Sequence, residues 1–300
     1  MTTSSVRARP IWADAPSPAL RVLKAVALTV VVAVIAFPFL VVVSTSLASE
    51  QQLVANGGYV LWPSDPSFDA YRQVLGGGAV SRAVIVSVAV TVIGTAISLG
   101  ATVLAAYALS QRRLVGKRLL LGVVLLTFLI SPGIIPLYLM VKQLGLLNNY
   151  AALILPTAIS AFNIVIMRGF FMTIPRELLD SAMLDGAGHW TMLRRIVLPL
   201  SKAVTAVVGM FYAVGYWNSF FNALLYLNDS AKWPLQLVLR TYVLQGSPIA
   251  KEAGASADVL PPTQALQMAV VVIAIVPIAC VYPFLQKHFK TGVLTGAVKG

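Results

Sequence analysis

The amino-acid sequence predicts an all-α membrane protein with six transmembrane helices and one long polar loop between the fourth and the fifth. Apolar residues make up 58% of the 300 residues and charged residues only 11%, whereas an ordinary soluble domain carries about 25% charged residues. Six apolar runs are long enough to cross roughly 30 Å of hydrocarbon as helices. None of the 10 acidic residues lies inside these runs.

The six predicted spans follow a polar, basic N-terminal tail, residues 1–19, which we expect to be cytoplasmic. They cover residues 25–48, 83–111, 119–141, 151–167, 203–227 and 264–286. The basic lead-in of the first span also suits a signal peptide. Its apolar stretch exceeds the roughly 7–15 residues of a signal-peptide core, which favours an uncleaved span. Residues 20–300 are therefore predicted to form one transmembrane domain.

Prolines and glycines predict where the spans bend and where they end. Ser131, Pro132, Gly133 and Pro136 fall in the outer half of the third span, so this helix should break there. Breaks at membrane depth are tolerated where the backbone faces protein or a wet cavity. The sixth span should kink at its own prolines, Pro277 and Pro283. Residues 50–78 and 226–263 are predicted to be outer loops.

The distribution of lysine and arginine predicts the orientation in the membrane. With the N-terminus inside, the inner segments hold 16 of the 22 basic residues and the outer segments hold 6. Cytoplasmic loops carry an excess of these residues. Both termini and the long polar loop are therefore expected to be cytoplasmic, and the scatter of the basic residues among loops argues against nucleic-acid binding.

Several functional classes lack the residues they require. An ion-coupled carrier usually has an ionisable residue at membrane depth, and the predicted spans carry no acid. Gly116-Lys117 lacks the upstream glycine and the following Ser or Thr of a phosphate-binding loop, so this chain should not hydrolyse ATP. The single Cys280 and the distant His189 and His288, both in predicted loops, predict neither a disulfide nor a metal site. Catalytic carboxylate pairs and Ser/His/Asp sets are also missing from the spans.

The polar loop between the fourth and fifth spans predicts a helix–turn–helix at the membrane surface. Pro175 suits the first position of a short amphipathic helix, and Gly186 and Gly188 interrupt that helix. A second helical run begins at Trp190 and continues into the fifth span. The first helix has an apolar stripe at helical spacing, made of Leu178, Leu179, Ala182 and Met183.

This loop resembles the EAA loop of ABC-importer permeases, a cytoplasmic coupling helix that docks on the ATPase subunit. The spacing matches that family throughout, with Asp180 in place of Glu and Ser181 in place of the first Ala. A short, glycine-containing helix fits this role better than the alternative of an amphipathic helix lying on lipid. The residues that the resemblance assigns to ATPase coupling are Glu177, Asp180, Ser181, Ala182, Asp185, Gly186, Ile196, Leu198 and Pro199.

The resemblance extends over much of the chain. From about residue 119 onward the sequence is similar to carbohydrate-importer permeases of the MalG-like type, particularly the branch for oligosaccharides and oligouronides. Residues 83–286 match the transmembrane core of that family, and the first span and its outer loop are variable additions. The stretches that carry the likeness are residues 133–156, 167–187 and 216–229, WPLQLVLR and the terminal GAVKG.

The resemblance implies an ABC type I importer permease fold and a set of partners in the bacterial cell membrane. These are a second homologous permease subunit, two ATPase subunits that bind ATP and Mg²⁺, and an extracytoplasmic solute-binding protein that delivers a sugar or oligosaccharide. The chain itself would hold no cofactor or metal. In relatives the C-terminal tail reaches the ATPases, which assigns possible contacts to Gly296, Lys299 and Gly300.

Two other functions are left open by the sequence. The coupling loop is common to importers, so the solute could be an amino acid or phosphate, although the flanking sugar-type motifs favour a carbohydrate. A membrane scaffold without transport activity is the other alternative.

Polar side chains within the spans are candidates for the translocation path. Asn163 lies in the fourth span, and Trp217, Asn218 and Asn222 lie in the fifth together with the polar Ser219. Buried asparagines could equally hydrogen-bond between helices as line a pore. Trp217, like Tyr216 beside it, could belong to an interfacial belt or stack on the face of a sugar.

Overall fold

The computed structural model describes residues 17–112, 114–130, 132–245 and 263–296, and all regular elements within them are helical. Helix α1 (Pro18–Ser46) forms the first span. The side chain of Ser17 accepts a hydrogen bond from the backbone N–H of Leu20 at 3.3 Å, and Pro18 occupies the first turn. These two start signals explain why α1 begins before the predicted residue 25.

The segment between the first two spans, residues 47–78, is folded, where the sequence predicted an outer loop over residues 50–78. We call it the outer cap, with outer and inner denoting the predicted sides of the membrane. It contains α2 (Glu50–Ala55) and α3 (Asp69–Leu75). Val60 is buried with the start of the sixth span, and Ser46 at the end of α1 shares a 2.7 Å hydrogen bond with Tyr71. The cap therefore packs over the outer end of α1.

The second span, α4 (Ala79–Ser110), is the central helix of the fold. It packs most extensively on the fifth span and next on the fourth. Its face toward them carries small polar residues one helical turn apart, including the buried Ser98 and Thr102. Small residues let helices approach closely within a membrane, and hydroxyl groups can bond between them.

The third span breaks where the sequence predicted. Helix α5 (Lys117–Leu129) and helix α6 (Ile134–Gln143) are sharply bent relative to each other. Gly133 has φ +81°, a left-handed conformation that glycine adopts without steric cost. Pro136 lies in the first turn of α6, where a proline is tolerated, so this residue does not make the break.

The fourth span is broken, which corrects the prediction of one helix over residues 151–167. Helix α7 (Ala151–Ile154) continues as the 3₁₀ turn Leu155–Thr157, and α8 (Ala161–Phe171) follows at 53°. Pro156, in this 3₁₀ turn, has no N–H with which to continue the α-helical hydrogen bonds. Ser160 then caps α8 by accepting a hydrogen bond from the N–H of Asn163 at 3.4 Å.

The polar loop forms two short helices and then turns into the fifth span. They are α9 (Arg176–Leu184) and α10 (His189–Met192), which begins one residue before the predicted Trp190. A π-helical turn, Leu193–Val197, and the short α11 (Leu198–Leu200) follow. Helix α12 (Lys202–Trp217) leaves this segment at 87°.

The fifth span and the outer segment after it both differ from prediction. The span was predicted to be continuous over 203–227, but α12 ends at Trp217 and α13 (Phe220–Tyr226) starts after a two-residue break. The segment 226–263 contains a 3₁₀ turn, Ser230–Lys232, and α14 (Leu235–Gln245), and its residues 246–262 lie outside the described part. The amide of Asn218 donates to the Val214 carbonyl at 2.9 Å and ends α12.

The sixth span is α15 (Gln264–Gly296), which continues past the predicted residue 286 and through both of its prolines. His288 therefore lies in a helix and not in a loop. By length and composition, three helices could cross a membrane and three bent pairs could add three more crossings. The described structure thus accommodates the six predicted spans, with α4, α8 and α12 meeting in the largest apolar core.

Candidate functional site

Two features of the structure are candidates for function: the coupling segment, residues 175–201, and a cavity between the broken fourth and fifth spans. In the coupling segment, α9 ends in a Schellman motif. The N–H of Ala187 donates to the carbonyl of Ala182 at 2.9 Å, and the N–H of Gly186 donates to that of Met183 at 3.1 Å. Gly186 has φ +79°, which explains why a glycine stands there.

The start of α9 differs from the prediction in a detail. Pro175 precedes the helix as its N-cap residue and is not its first helical residue. Gly188 likewise caps α10. His189, which was expected in a loop, is the first residue of α10 and is exposed.

The coupling segment exposes both apolar and acidic side chains. Half of the predicted stripe, Leu179 and Ala182, is partly buried, and the other half is exposed. Leu184 and Trp190 are exposed by 90% and 66% of their surface. Large apolar residues exposed together mark interaction sites. The predicted coupling residues exposed with them are Glu177, Asp180, Ser181, Asp185, Gly186 and Pro199, whereas Ala182, Ile196 and Leu198 are partly buried.

Pro199 explains the π-helical turn between α10 and α12. Because Pro199 has no N–H, the carbonyl of Arg195 lacks its α-helical donor. The backbone widens upstream, and the N–H of Leu198 donates to the carbonyl of Leu193, five residues back. The motif proline therefore sets the rotation of the coupling segment relative to α12.

Replacing Pro199 by alanine should restore an α-helical register and rotate α9 and α10 by up to about 100° relative to α12, since one residue of an α-helix turns the chain by that angle. We expect solute uptake to fall by roughly fivefold or more, while the chain still inserts. Uptake by membrane vesicles measures this. Pro175→Ala is the matched control, because Pro175 stands outside the π-helical turn. Equal uptake by both variants would contradict the assignment.

The contact between Tyr107 and His189 ties the coupling segment to α4, and two cationic side chains from α5 and α8 bind the C-terminal end of α4. Tyr107 Oη lies 3.4 Å from His189 Nδ1, and the two rings meet edge to face. Arg168 Nε donates to the carbonyl of Leu109 at 3.0 Å, and Lys117 Nζ donates to that of Gln111 at 3.0 Å. Cations at the C-terminal end of α4 satisfy its free carbonyls. The coupling segment and α4 are therefore mechanically connected.

The cavity opens beside the break between α7 and α8 and holds about 410 Å³. Its described lining is uncharged and combines amide, hydroxyl and aromatic groups. Phe162 and Phe211 contact each other with ring centroids 6.1 Å apart, and the side chain of Ser219 is buried without a hydrogen-bond partner among the described residues. The lining residues are Thr157, Ser160, Phe162, Asn163, Phe211, Tyr212, Gly215, Tyr216, Ser219 and Asn222.

Two tyrosines of α12 hold the shape of the cavity wall. Tyr216 Oη donates to the carbonyl of Ile154 at 3.3 Å and lies 2.7 Å from Ser98 Oγ. Tyr212 Oη accepts from the N–H of Ser160 at 3.1 Å and lies 2.7 Å from Thr102 Oγ1. Both tyrosines thus satisfy backbone groups that the break in the fourth span leaves without helical partners.

Removing the Tyr216 hydroxyl should destabilise the protein. Tyr216→Phe leaves the carbonyl of Ile154 and the hydroxyl of Ser98 buried without this partner, a loss of about 1 kcal/mol in a membrane protein. Tyr226→Phe is the matched control, because Tyr226 Oη is buried and has no partner among the described residues. We expect a lower thermal midpoint in detergent for Tyr216→Phe alone. Equal midpoints would contradict the role of Tyr216.

The structure separates the four predicted path residues. Asn163 and Asn222 line the cavity, whereas Asn218 is exposed beside it and bonds to its own helix. Trp217 is only 6% exposed, and its Nε1 donates to the carbonyl of Ala274 at 3.0 Å. This packed position against α15 leaves Trp217 no free ring face, so neither the stacking nor the belt interpretation fits it.

The sequence analysis missed Tyr212 and most of the cavity wall. One signal was present, because Tyr212 and Tyr216 are four residues apart, as are the Ser98 and Thr102 that they meet. The break of the fourth span, which brings Ser160 into the wall, was not predicted.

Comparison with known proteins gives the family. Residues 17–295 match the family model described as "Binding-protein-dependent transport system inner membrane component". The chain belongs to this family. It is 47% identical over 268 residues to Protein LplC of Bacillus subtilis (strain 168), covering 89% of this chain and 90% of the relative. The family consists of transport permeases, so the chain is a permease and not itself an enzyme.

Two further comparisons agree with this assignment. The permease is 47% identical over 266 residues to the polygalacturonan/rhamnogalacturonan transport system permease protein YtcP of Bacillus subtilis (strain 168), covering 88% of this chain and 92% of the relative. A crystal structure of a bacterial ABC transporter involved in the import of the acidic polysaccharide alginate matches with a TM-score of 0.82 and 30% identity, covering 92% of this chain and 100% of that one. The predicted fold and the resemblance to carbohydrate-uptake ABC permeases are confirmed.

Proposed function

We propose that this permease forms one half of the translocation path of an ATP-driven importer for a sugar or oligosaccharide. A second homologous permease subunit would form the other half, and a solute-binding protein would deliver the solute from outside. Two ATPase subunits would bind ATP and Mg²⁺ and drive the cycle. The observation that carries this proposal is an uncharged, hydroxyl-rich cavity in the same molecule as an exposed coupling segment.

The exposed face of the coupling segment supports ATPase docking. Leu184 and Trp190 offer apolar anchors, and Asp180 and Asp185 form no ion pair among the described residues. Carboxylates in such a setting can pair with basic residues of an ATPase groove. The open space around the Gly186 α-carbon lets a partner backbone approach closely.

The chemistry of the cavity favours a carbohydrate over the other solutes considered. Phosphate has no apolar face and most amino acids have no side-chain hydroxyl group, so neither class matches a lining of this kind. The described lining offers amide and hydroxyl groups, which suit sugar hydroxyls, and aromatic rings, which suit the apolar face of a sugar. Two relatives are named for the transport of polysaccharides. Family membership disfavours a scaffold without transport activity.

The orientation follows from the coupling mechanism and from the basic residues. We place both termini and the coupling segment on the cytoplasmic side of the bacterial cell membrane, because the inner segments hold 16 of the 22 lysines and arginines. The C-terminal contacts with the ATPases remain a prediction. Gly296 is the last residue of α15, and Lys299 and Gly300 lie outside the described residues.

Uptake of labelled oligosaccharide by cells that express the complete importer tests the proposal. Labelled trigalacturonate and a neutral trisaccharide are suitable probes. We expect uptake of at least one of them to depend both on this permease and on the ATPase. Uptake that persists without the ATPase would contradict the proposal, as would an importer that takes up amino acids or phosphate and neither saccharide.

A further inference from the structure

The outer cap presents a row of apolar side chains that the transport mechanism does not use. Tyr59, Leu61 and Trp62 expose 58%, 57% and 81% of their surface, while Val60 between them is 3% exposed. Tryptophan and tyrosine carry an apolar ring with a polar group and are enriched where membranes meet water. We propose that residues 59–62 form an interfacial anchor, which inserts into the headgroup region of the outer leaflet.

Hydrogen bonds fix the height of this anchor relative to α1. The N–H of Val60 donates to Thr45 Oγ1 at 3.2 Å, and Thr45 Oγ1 lies 3.4 Å from the carbonyl of Val60, to which it can donate. Thr45 belongs to the last turn of α1, which ends at Ser46. The anchor therefore lies level with the outer end of the first span.

The sequence of α1 places that end at the boundary of the hydrocarbon. Lys24 is the last charged residue before the apolar part of α1, and no charge follows until Glu50. Roughly 20 helical residues cross the hydrocarbon core, so a helix that enters the core at residue 25 leaves it near residue 44. Thr45 and the anchor bonded to it then lie in the interfacial zone.

The backbone of the anchor is held rigidly by the cap. Gln52 Nε2 donates to the carbonyl of Trp62 at 3.1 Å, and Gln52 Oε1 accepts from the N–H of Ser64 at 3.2 Å. On the other side of the anchor, the N–H of Gly58 donates to the carbonyl of Leu53 at 2.8 Å. Because the backbone is fixed at both ends, the three exposed side chains are presented outward at one height.

The surface formed by residues 59–62 contacts lipid headgroups and not a soluble protein, because it lies level with the boundary of the hydrocarbon. A docking site for the solute-binding protein would be expected on the aqueous top of the cap. The anchor instead gives the variable first span an attachment at its outer end. The proposal depends on insertion of the chain in the membrane and not on the identity of the solute.

Fluorescence quenching can test the anchor. Cys280 is the only cysteine of the chain, so Cys280→Ser provides a background for Trp62→Cys and Tyr59→Cys, each labelled with bimane. Arg72→Cys is the control, because the Arg72 side chain is 81% exposed on α3 of the same cap. The assembled importer is reconstituted in liposomes, and unmodified Cys280→Ser importer gives the background from the partner subunits.

We expect lipids brominated near the headgroup to quench the labels at residues 59 and 62 at least about twofold more than the label at residue 72. Aqueous iodide should show the opposite order. The use of two anchor positions guards against failure of either variant to fold. Equal iodide quenching at residues 62 and 72 with no quenching by brominated lipid would overturn the anchor. Protection of the labels at residues 59 and 62 from iodide that appears only when the binding protein is added would also overturn the anchor, in favour of a protein docking surface.

Discussion

Gly186→Leu will uncouple ATP hydrolysis from solute uptake while leaving the permease inserted in the membrane. Gly186 adopts φ +79°, and a residue with a β-carbon pays about 1–2 kcal/mol in this left-handed conformation. Apart from Gly186 and its two chain neighbours, no atom of the described residues lies within 4 Å of where that β-carbon would be. The new side chain therefore projects from the coupling segment toward the proposed ATPase groove.

The expected loss of uptake is roughly 5–150-fold, the range of typical coupling free energies. Gly188→Leu is the matched control. Gly188 has an ordinary φ of −71° and also has no atom within 4 Å of its β-carbon position, so it tests bulk in the same bend without the left-handed strain. We expect uptake to fall less for Gly188→Leu than for Gly186→Leu, with equal membrane insertion of the two variants.

ATPase activity and uptake, measured together on reconstituted importer, separate uncoupling from misfolding. Gly186→Leu importer should retain basal ATPase activity but lose its stimulation by the solute-loaded binding protein. Normal stimulation together with normal uptake would contradict the role given to this glycine. Loss of the chain from the membrane would show that the Schellman motif serves folding alone.

Gly94→Val will destabilise the cavity wall through its contact with Tyr216. A β-carbon at Gly94 would lie 2.8 Å from the ring of Tyr216, closer than carbon atoms approach. Tyr216 cannot withdraw freely, because its hydroxyl is bonded to both Ser98 and the carbonyl of Ile154. Overpacking of this kind costs about 1–3 kcal/mol.

Gly100→Val is the control for this replacement, since Gly100 lies on the same helix and its β-carbon position has no atom within 4 Å. Both variants carry the same intrinsic cost of valine in a helix, so their difference reports the contact with Tyr216. We expect the thermal midpoint to fall only for Gly94→Val, together with its uptake. Equal midpoints would mean that α4 and α12 adjust without cost.

The sequence predicted the parts of the fold that depend on composition and charge. Charge-free runs located the spans, and the glycine and prolines near Gly133 located the break of the third span. The start of α1 and the end of α15 were less well predicted, because start signals such as Ser17 extend α1 upstream of its apolar run and α15 continues past residue 286 into a basic stretch. Helices α2 and α3 were assigned to loops because they have only 6 and 7 residues. Helix α14 is apolar, but its 11 residues are too few to cross the membrane, so it was assigned to the same outer loop.

The candidate site was predictable only in part. The spacing of the motif predicted the coupling segment, and its role in ATPase coupling stays a prediction. Six of its nine predicted coupling residues are exposed, whereas the exposed Leu184 and Trp190 were not among the nine. The cavity depends on breaks in two spans, where the side chain of Ser160 caps the start of α8 and that of Asn218 bonds to the end of α12. Within an apolar run, the sequence does not distinguish a Ser or Asn that caps a helix from one that hydrogen-bonds between helices. The burial of Trp217 against α15 is a tertiary contact that local sequence does not specify.

The central claim is that this permease is a passive gate driven from the cytoplasmic side through the coupling segment. A photo-crosslinker attached at Leu184→Cys, in the Cys280→Ser background, tests it most directly, because Leu184 is 90% exposed. The claim predicts a crosslink to the ATPase subunit and labelling of residue 184 from the cytoplasmic face alone. Labelling from the outer face, with no ATPase crosslink, would contradict it.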